Sequence, residues 1–319
     1  MKGTATFRCL FLAACTLACS TISVRAAESP SFTAYSQGQY MTARKLAERE
    51  AAQGSKEAYT LLGEIYEEGL GVAQDYKKAA DAYRKGAELG DANAQFSLGT
   101  LSLDGQGVKK DPNVAANLFE KAAKSGHAMA QYNLALIYLE GKGRPTDEAK
   151  AFEWMQKAAA QNLPAAEYDL GGFYQFGRGV TKDRAKAAEW TGKAAEAGVP
   201  EAQVEYGVML FKGEGVAVDE QRAAKMFRMS AEQGNAVAQN RLARLYANGV
   251  AVGPADPVQA AKWHLLAREA GVADFTLDIL LAKLTPEQRA AADKAAKEWR
   301  DGHLSVCPRA LDSGRALSP

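Results

Sequence analysis

The sequence predicts an all-α fold built as a stack of helix pairs, and three observations carry that prediction. The first is a period. Ala58, Ala94, Ala130, Ala166, Ala202 and Ala238 stand 36 residues apart, and Leu62, Leu98, Leu134, Leu170, Tyr206 and Leu242 follow at the same interval. Six copies of one interval mark a repeat architecture, in which each unit buries its apolar face on its neighbours. The second is the spacing inside a copy. Ala130, Leu134 and Tyr138 recur at i, i+4 and i+8, one face of a helix. The third is composition. The chain is 47% hydrophobic and 24% charged, rich in Ala and Gly and poor in long β-branched runs, which favours helices packed closely through small residues.

In chain order, the first element is an export signal over residues 1–26. Lys2 and Arg8 supply a positive start, residues 9–24 an apolar run, and Val24-Arg25-Ala26 places cleavage after Ala26. The apolar run of about 16 residues falls short of the roughly 20 that span a bilayer. Leu12-Ala13-Ala14-Cys15 also resembles a lipoprotein box, which would anchor the chain at Cys15, although the apolar run continues beyond that cysteine. Removing Lys2, Arg8 and Arg25 takes the formal charge from +1 to −2 and leaves Cys307 as the one cysteine, so no disulfide forms within the mature chain. The near-balanced charge argues against nucleic acid as a partner. Membrane association is expected only through a lipid anchor or a membrane-protein partner.

Residues 32–56 read as an N-terminal capping half-repeat, because Ala43, Leu46 and Gly54 lie 36 before Ala79, Ala82 and Gly90. Residues 57–272 hold six full copies. In each, helix A ends at a glycine (Gly69, Gly105, Gly141, Gly177, Gly213, Gly249) suited to a left-handed closing turn. An aspartate then caps helix B: Asp75, Asp111, Asp147, Asp183, Asp219 and Asp256, the last displaced by one inserted residue. Pro164 and Pro200 sit at the first helical position of two A helices, where a missing N–H costs nothing. Helix B stops at Gly90, Gly126, Asn162, Gly198, Gly234 and Gly271. "LEGKGRP", residues 139–145, resembles a phosphate loop in isolation, but it follows a helix and lacks the Gly-Lys-Ser/Thr ending. Gly141 and Gly143 match Gly69/Gly71, Gly105/Gly107, Gly177/Gly179 and Gly213/Gly215, so it is one of a set of corners, of which the sixth keeps only Gly249. Residues 273–302 read as C-terminal capping helices. Phe275 and Ile279 are expected on the apolar face of a degenerate unit, and Thr285-Pro286-Glu287-Gln288 is a capping box opening a helix from Pro286 to about Arg300. Residues 303–319, with Pro, Gly and Ser, read as a disordered tail.

The pattern A-x-x-x-L-G-x-x-Y-x-x-G-x-G-V-x-x-D-x-x-x-A-x-x-W-x-x-K-A-A-x-x-G, best kept in Ala166–Gly198 and Ala94–Gly126, resembles the Sel-one-like repeat, a longer relative of the tetratricopeptide repeat. The resemblance covers roughly residues 57–272. It implies a right-handed α-solenoid that holds partner proteins, often in signalling or envelope assembly. One branch of that family carries a cysteine pair in every repeat and is described as penicillin-binding or β-lactamase-like. No repeat here contains a cysteine, so that activity is not carried over. The layout, exported and cysteine-free with a terminal "LTPEQ" helix, is closer to periplasmic exopolysaccharide regulators that restrain a membrane sensor kinase.

Nothing in the chain reads as catalytic machinery. G-x-S-x-G, H-E-x-x-H and C-x-x-C are all absent. His127, His264 and His303 are far apart in sequence, and each reads as structural. No catalytic, cofactor-binding or metal-ligating residue is assigned. A partner surface is expected where the repeat leaves positions unconstrained. In related helix-pair repeats the A helices line the concave side, which selects Phe96, Tyr132, Tyr168 and Val204 two before the conserved leucine position, and Leu103, Leu139, Phe176 and Phe211 five or six after it. Glu64, Glu67 and Glu68 add acids at the first copy. Two readings of the stripe stand: a groove for a protein or peptide, or side chains filling gaps between adjacent A helices. The acids read as a solvated face or as a seat for a basic segment. A non-enzymatic exported scaffold is thus the leading expectation, with the sensor-kinase regulator second and a cell-wall or β-lactam hydrolase last.

Overall fold

The computed structural model describes residues 29–306, and among these the chain forms sixteen α-helices and no strand. The expected export signal with Cys15, and residues 307–319 with Cys307, lie outside the described residues. The chain divides into two compact units, one ending at Thr146 and one beginning at Asp147. In each, helix pairs stack one on the next in the manner of an α-solenoid.

The first unit contains α1 (Pro30–Ser36), α2 (Tyr40–Ala52), α3 (Lys56–Glu68), α4 (Tyr76–Glu88), α5 (Ala92–Asp104), α6 (Pro112–Lys124) and α7 (Ala128–Glu140). Helix α2 begins and ends 36 residues before α4, so it is a B helix, and the seven-residue α1 is a shortened A helix beside it. Their pairing is sealed by Glu50, whose carboxylate accepts from both the Ser31 N–H and the Ser31 hydroxyl. The corner at Arg144 is tied back to α6, its guanidinium donating to Asn117 at 2.6 Å and to Glu120 at 3.1 Å. The second unit contains α8 (Glu148–Ala159), α9 (Pro164–Phe176), α10 (Arg184–Glu196), α11 (Pro200–Lys212), α12 (Glu220–Glu232), α13 (Ala236–Asn248), α14 (Pro257–Glu269), α15 (Phe275–Ala282) and α16 (Pro286–Val306).

All six expected aspartates cap their B helices, accepting backbone N–H bonds of 2.9–3.2 Å. In five of these aspartates the N–H also donates back to helix A, as Asp75 does to Tyr66 and Asp219 to Leu210, so one residue closes one helix and opens the next. Capping of the A helices is divided. Ser55, Asp91, His127 and Asn235 accept an N–H from the residue three positions on. Leu163 and Val199 make no side-chain cap, and these two are the full-length A helices that begin with proline. Proline at the first helical position removes one of the orphan donors of the helix start, though not the one that a side-chain cap binds.

Packing within a pair depends on missing side chains. Gly63, Gly99 and Gly207 lie against the rings of Tyr83, Phe119 and Phe227, which a Cβ would strike. Each ring is at most 3% exposed, a burial that contributes about 1.5–3 kcal/mol. Packing between repeats depends on the second glycine of each corner. Gly107, Gly143, Gly179 and Gly215 have φ between +63° and +78°. A Cβ there would overlap the main-chain carbonyls of Tyr76, Pro112, Glu148 and Arg184, the first residues of the preceding B helices. Ala251 holds this place in the sixth copy, still left-handed at φ +58°, where the loop also carries the inserted residue.

A third recurrent contact joins four of the A helices to the B helix before them. Gln95, Gln131, Gln203 and Gln239 donate Nε2–H bonds of 3.1–3.3 Å to the carbonyls of Ala87, Ala123, Ala195 and Ala231. These acceptors lie near helix C-termini, where carbonyls lack intrahelical partners. At the same position α9 carries Glu167, 5% exposed. A carboxylate has no hydrogen to donate to a carbonyl. Burial raises the Glu167 carboxyl above the usual carboxylate range, against the opposing pull of Lys193 on α10.

The C-terminal end differs from the sequence expectation in two respects. The buried residues of α15 are Leu277 and Leu281, whereas Phe275 is 78% exposed and Ile279 40%. The rotation of this short helix is set by Asp274, which caps it while gripping Asn240 at 2.9 Å and Arg244 at 2.6 Å from α13. The capping box is present, with Thr285 N–H on Gln288 Oε1 at 3.0 Å and Gln288 N–H on Thr285 Oγ1 at 3.2 Å. The helix it opens runs to Val306, so residues 303–306 are helical and do not belong to a tail. The His303 ring stacks on Trp299 at 3.8 Å and contacts the Glu232 carbonyl on α12, which holds the helix together past Gly302.

Two outcomes test this packing. Gly215→Ala is expected to lower the thermal midpoint by several degrees more than Gly198→Ala. Both residues are left-handed and share a cost of about 1–2 kcal/mol, but only Gly215 faces a neighbouring carbonyl. Equal midpoints would show that the corner does not bear on the preceding helix. Glu167→Gln is expected to raise the midpoint at pH 7 by about 2–4 °C, the equivalent of one added hydrogen bond. Because the folded-state pKa is raised, the stability of the protonated carboxyl is fully present below the unfolded value and is lost as pH rises through the folded one. The gap between variant and wild type therefore closes toward pH 4. Melts recorded from pH 4 to 8 that show a constant gap would refute this account.

Candidate interaction surface

The A helices carry the expected stripe, and the side chains on it have different fates. In the first unit Phe96 on α5 is half-buried. Its ring stacks on His127 at 4.7 Å and lies 5.7 Å from Phe119, so it fills the space between its own pair and the next repeat. His127 thereby serves twice, as the cap of α7 and as a platform for Phe96. Burial holds its imidazole below the usual histidine range. Tyr132, Leu103 and Leu139 are also half-buried.

The acids on α3 are drawn inward. The Tyr35 hydroxyl donates to Glu64 and the Tyr83 hydroxyl to Glu67, both at 2.6 Å. Burial raises both carboxyls above their ordinary range, opposed by the tyrosine bonds. Of the three acids only Glu68 is exposed. Glu64 and Glu67 thus tie α3 to α1 and α4, and neither is a fully solvated charge.

In the second unit Tyr168 is half-buried, with a hydroxyl pushed upward by burial and by Glu205. Val204 packs against the apolar cluster that includes Leu242, Leu266 and Leu277. Phe176 and Phe211, near the C-terminal ends of α9 and α11, are different. Phe176 is 60% exposed with the Arg178 guanidinium 5.8 Å from its ring centre, and Phe211 is 38% exposed. The next A helix, α13, carries Ala247 and Asn248 at the corresponding positions. These line an open cleft of about 480 Å³ with Arg244, Pro257, Thr276, Leu277, Ile279, Leu280, Lys283, Leu284 and Gln288. Sequence reasoning did not select this cleft, because it assigned Ile279 to the core.

His264 is buried, with Nε2 2.8 Å from the Asp278 carboxylate, and so joins α14 to α15. Among the described residues no three His, Cys, Asp or Glu side chains converge as a metal site would require, and no helix is long and apolar enough to cross a membrane.

Comparison with known proteins places this geometry. A Sel1 repeat protein from Oxalobacter formigenes, known from its crystal structure, is 31% identical, with a TM-score of 0.65 over 76% of this chain and 97% of that one. A protective antigen of uropathogenic Escherichia coli with an SLR fold is 26% identical over 87% of this chain and 75% of that one, at a TM-score of 0.35. No curated protein matches. The model of the Sel1 repeat matches residues 56–91, 92–127, 128–163, 164–199, 200–235 and 236–272. These six consecutive matches start where the A helices start, cover well over half of the sequence, and establish that the chain belongs to the Sel1 repeat family.

Proposed function

We propose that this chain is an exported, non-enzymatic scaffold that holds a protein or peptide segment along its A-helix face, in envelope or signalling regulation. Sel1 repeat proteins generally mediate protein–protein interaction and are typically non-catalytic. Export rests on the leader pattern of residues 1–26. The observation that supports the groove reading is the exposure of Phe176 and Phe211. Elsewhere on the A helices aromatic side chains are taken up by packing, as Phe96 is by His127 and Phe119. Two phenyl rings left in water on successive A helices of one unit gain by transfer to a partner, and aromatic anchors of this kind dominate interface energetics. In the second unit Val204 and Tyr168 lie half-buried on the same A helices as these rings, and in the first unit Tyr132, Leu103 and Leu139 are half-buried at the corresponding A-helix positions.

The double variant Phe176→Glu/Phe211→Glu tests this reading. Both side chains are surface-exposed, so the thermal midpoint is expected to move by less than about 2 °C. The set of proteins that the purified full chain retains from detergent-solubilised membranes is expected to lose its specific members. A partner set identical for wild type and variant would remove the groove assignment.

A further inference from the structure

The stack has an unfilled place at its C-terminal end. In four repeats the first turn of the B helix is covered by the corner glycine of the next repeat, Gly107 over Tyr76 and Gly143 over Pro112 in one unit, Gly179 over Glu148 and Gly215 over Arg184 in the other. The last B helix, α14, begins at Pro257, and no corner glycine follows to lie on it. Pro257 instead lines the open cleft between α13, α15 and the start of α16. The backbone seat that is filled in those four repeats has no corner glycine on it here, and half-buried Pro257 borders a cleft open to solvent.

The walls of that seat have a definite chemistry. Leu277, Leu280, Leu284, Ala247 and Ile279 make it apolar, and Ile279 is 40% exposed. Lys283 stands on the rim, exposed and outside the ion pairs of the described residues. Arg244 lies on the opposite wall, its Nε held by Asp274 and its side chain 55% exposed. Asn248 and Thr276 add polar groups, and no acidic side chain lines the cleft. A space of about 480 Å³ is at the lower end of the range for binding pockets, room for two or three large side chains and too little for a folded domain.

From this arrangement we infer that the cleft is a docking site for a short acidic–apolar segment of a partner polypeptide, which takes the place a seventh repeat corner would fill. Two large apolar side chains of the segment enter between Ile279, Leu280 and Leu284, and a carboxylate beside them pairs with Lys283. The inference deepens the scaffold reading and rests on it, since it names one part of the surface and the chemistry of what binds there. The same row of positions leads from Phe176 and Phe211 to Ala247 and Asn248 at the cleft.

Selection of a displayed random twelve-residue peptide library on the immobilised full chain tests the inference. Enriched peptides are expected to pair an Asp or Glu with two large apolar residues. Measured by fluorescence anisotropy, their affinity is expected to fall at least tenfold in Ile279→Asp and in Lys283→Glu. In Lys283→Glu it is expected to recover when the peptide's acid is exchanged for Lys, a rescue that an unfolded variant would not give. Enriched peptides that are unmoved by either substitution but are lost in Phe176→Glu/Phe211→Glu would overturn the cleft assignment and leave the A-helix surface standing. Peptides indifferent to all these variants, or no enrichment at all, would overturn both.

Discussion

The architecture depends on backbone lying directly on backbone. At four corners the second glycine has no Cβ, and that absence lets the loop of one repeat settle on the first turn of the B helix before it. The same turn is held from inside by its capping aspartate, whose carboxylate binds the free N–H groups while, in five of the six copies, its own N–H reaches helix A. A B helix is thus fixed at its start by two neighbours with no freedom to slide. The aromatic–glycine contacts within each pair, such as Phe119 on Gly99, then set how closely the two helices lie. The stack follows from these nearest-neighbour contacts, as expected of a quasi-one-dimensional fold.

Such a scaffold separates the residues that must pack from those that are free to change. The small residues of the A helices, the capping aspartates and the corner glycines are all used in stacking. Several residues at the very ends of the A helices are exposed. There the chain carries Phe176 and Phe211 in the second unit, and Glu68 and Asp104 in the first. Arg144 is a corner residue that was put to structural use, tied to Asn117 and Glu120. A loop that looked suited to phosphate is therefore occupied with holding its own fold.

The helix pairs were legible because three independent local signals agree at every copy: apolar spacing, a closing glycine and a capping aspartate. The division of labour between capping side chains and Pro164 or Pro200 was only half legible, since the prolines were evident and the cap at His127 was one possibility among several. What the sequence did not disclose is set by distant contacts. An eight-residue helix such as α15 has two apolar faces, Phe275 with Ile279 and Leu277 with Leu281, and only the grip of Asn240 and Arg244 on Asp274 decides between them. The last helix was expected to end near Arg300, and a ring contact from His303 to a carbonyl 71 residues earlier accompanies its run to Val306. On the stripe, Phe96 looked like Phe176, and the difference lies in whether the next repeat offers a ring such as His127 to receive it.

The two ends of the chain are not held alike. Helix α16 reaches back over two repeats, placing Trp299 on Trp263, Arg300 on Glu269 and His303 on the end of α12. At the other end, the seven residues of α1 rest on α2 through Ser31 and Glu50 and on α3 through Tyr35 and Glu64. Fraying at the C-terminus must release a clasp spanning several helices at once, whereas at the N-terminus it releases one short helix. The first unit is accordingly loosely fastened at its outer helix, and the second is clasped at its own.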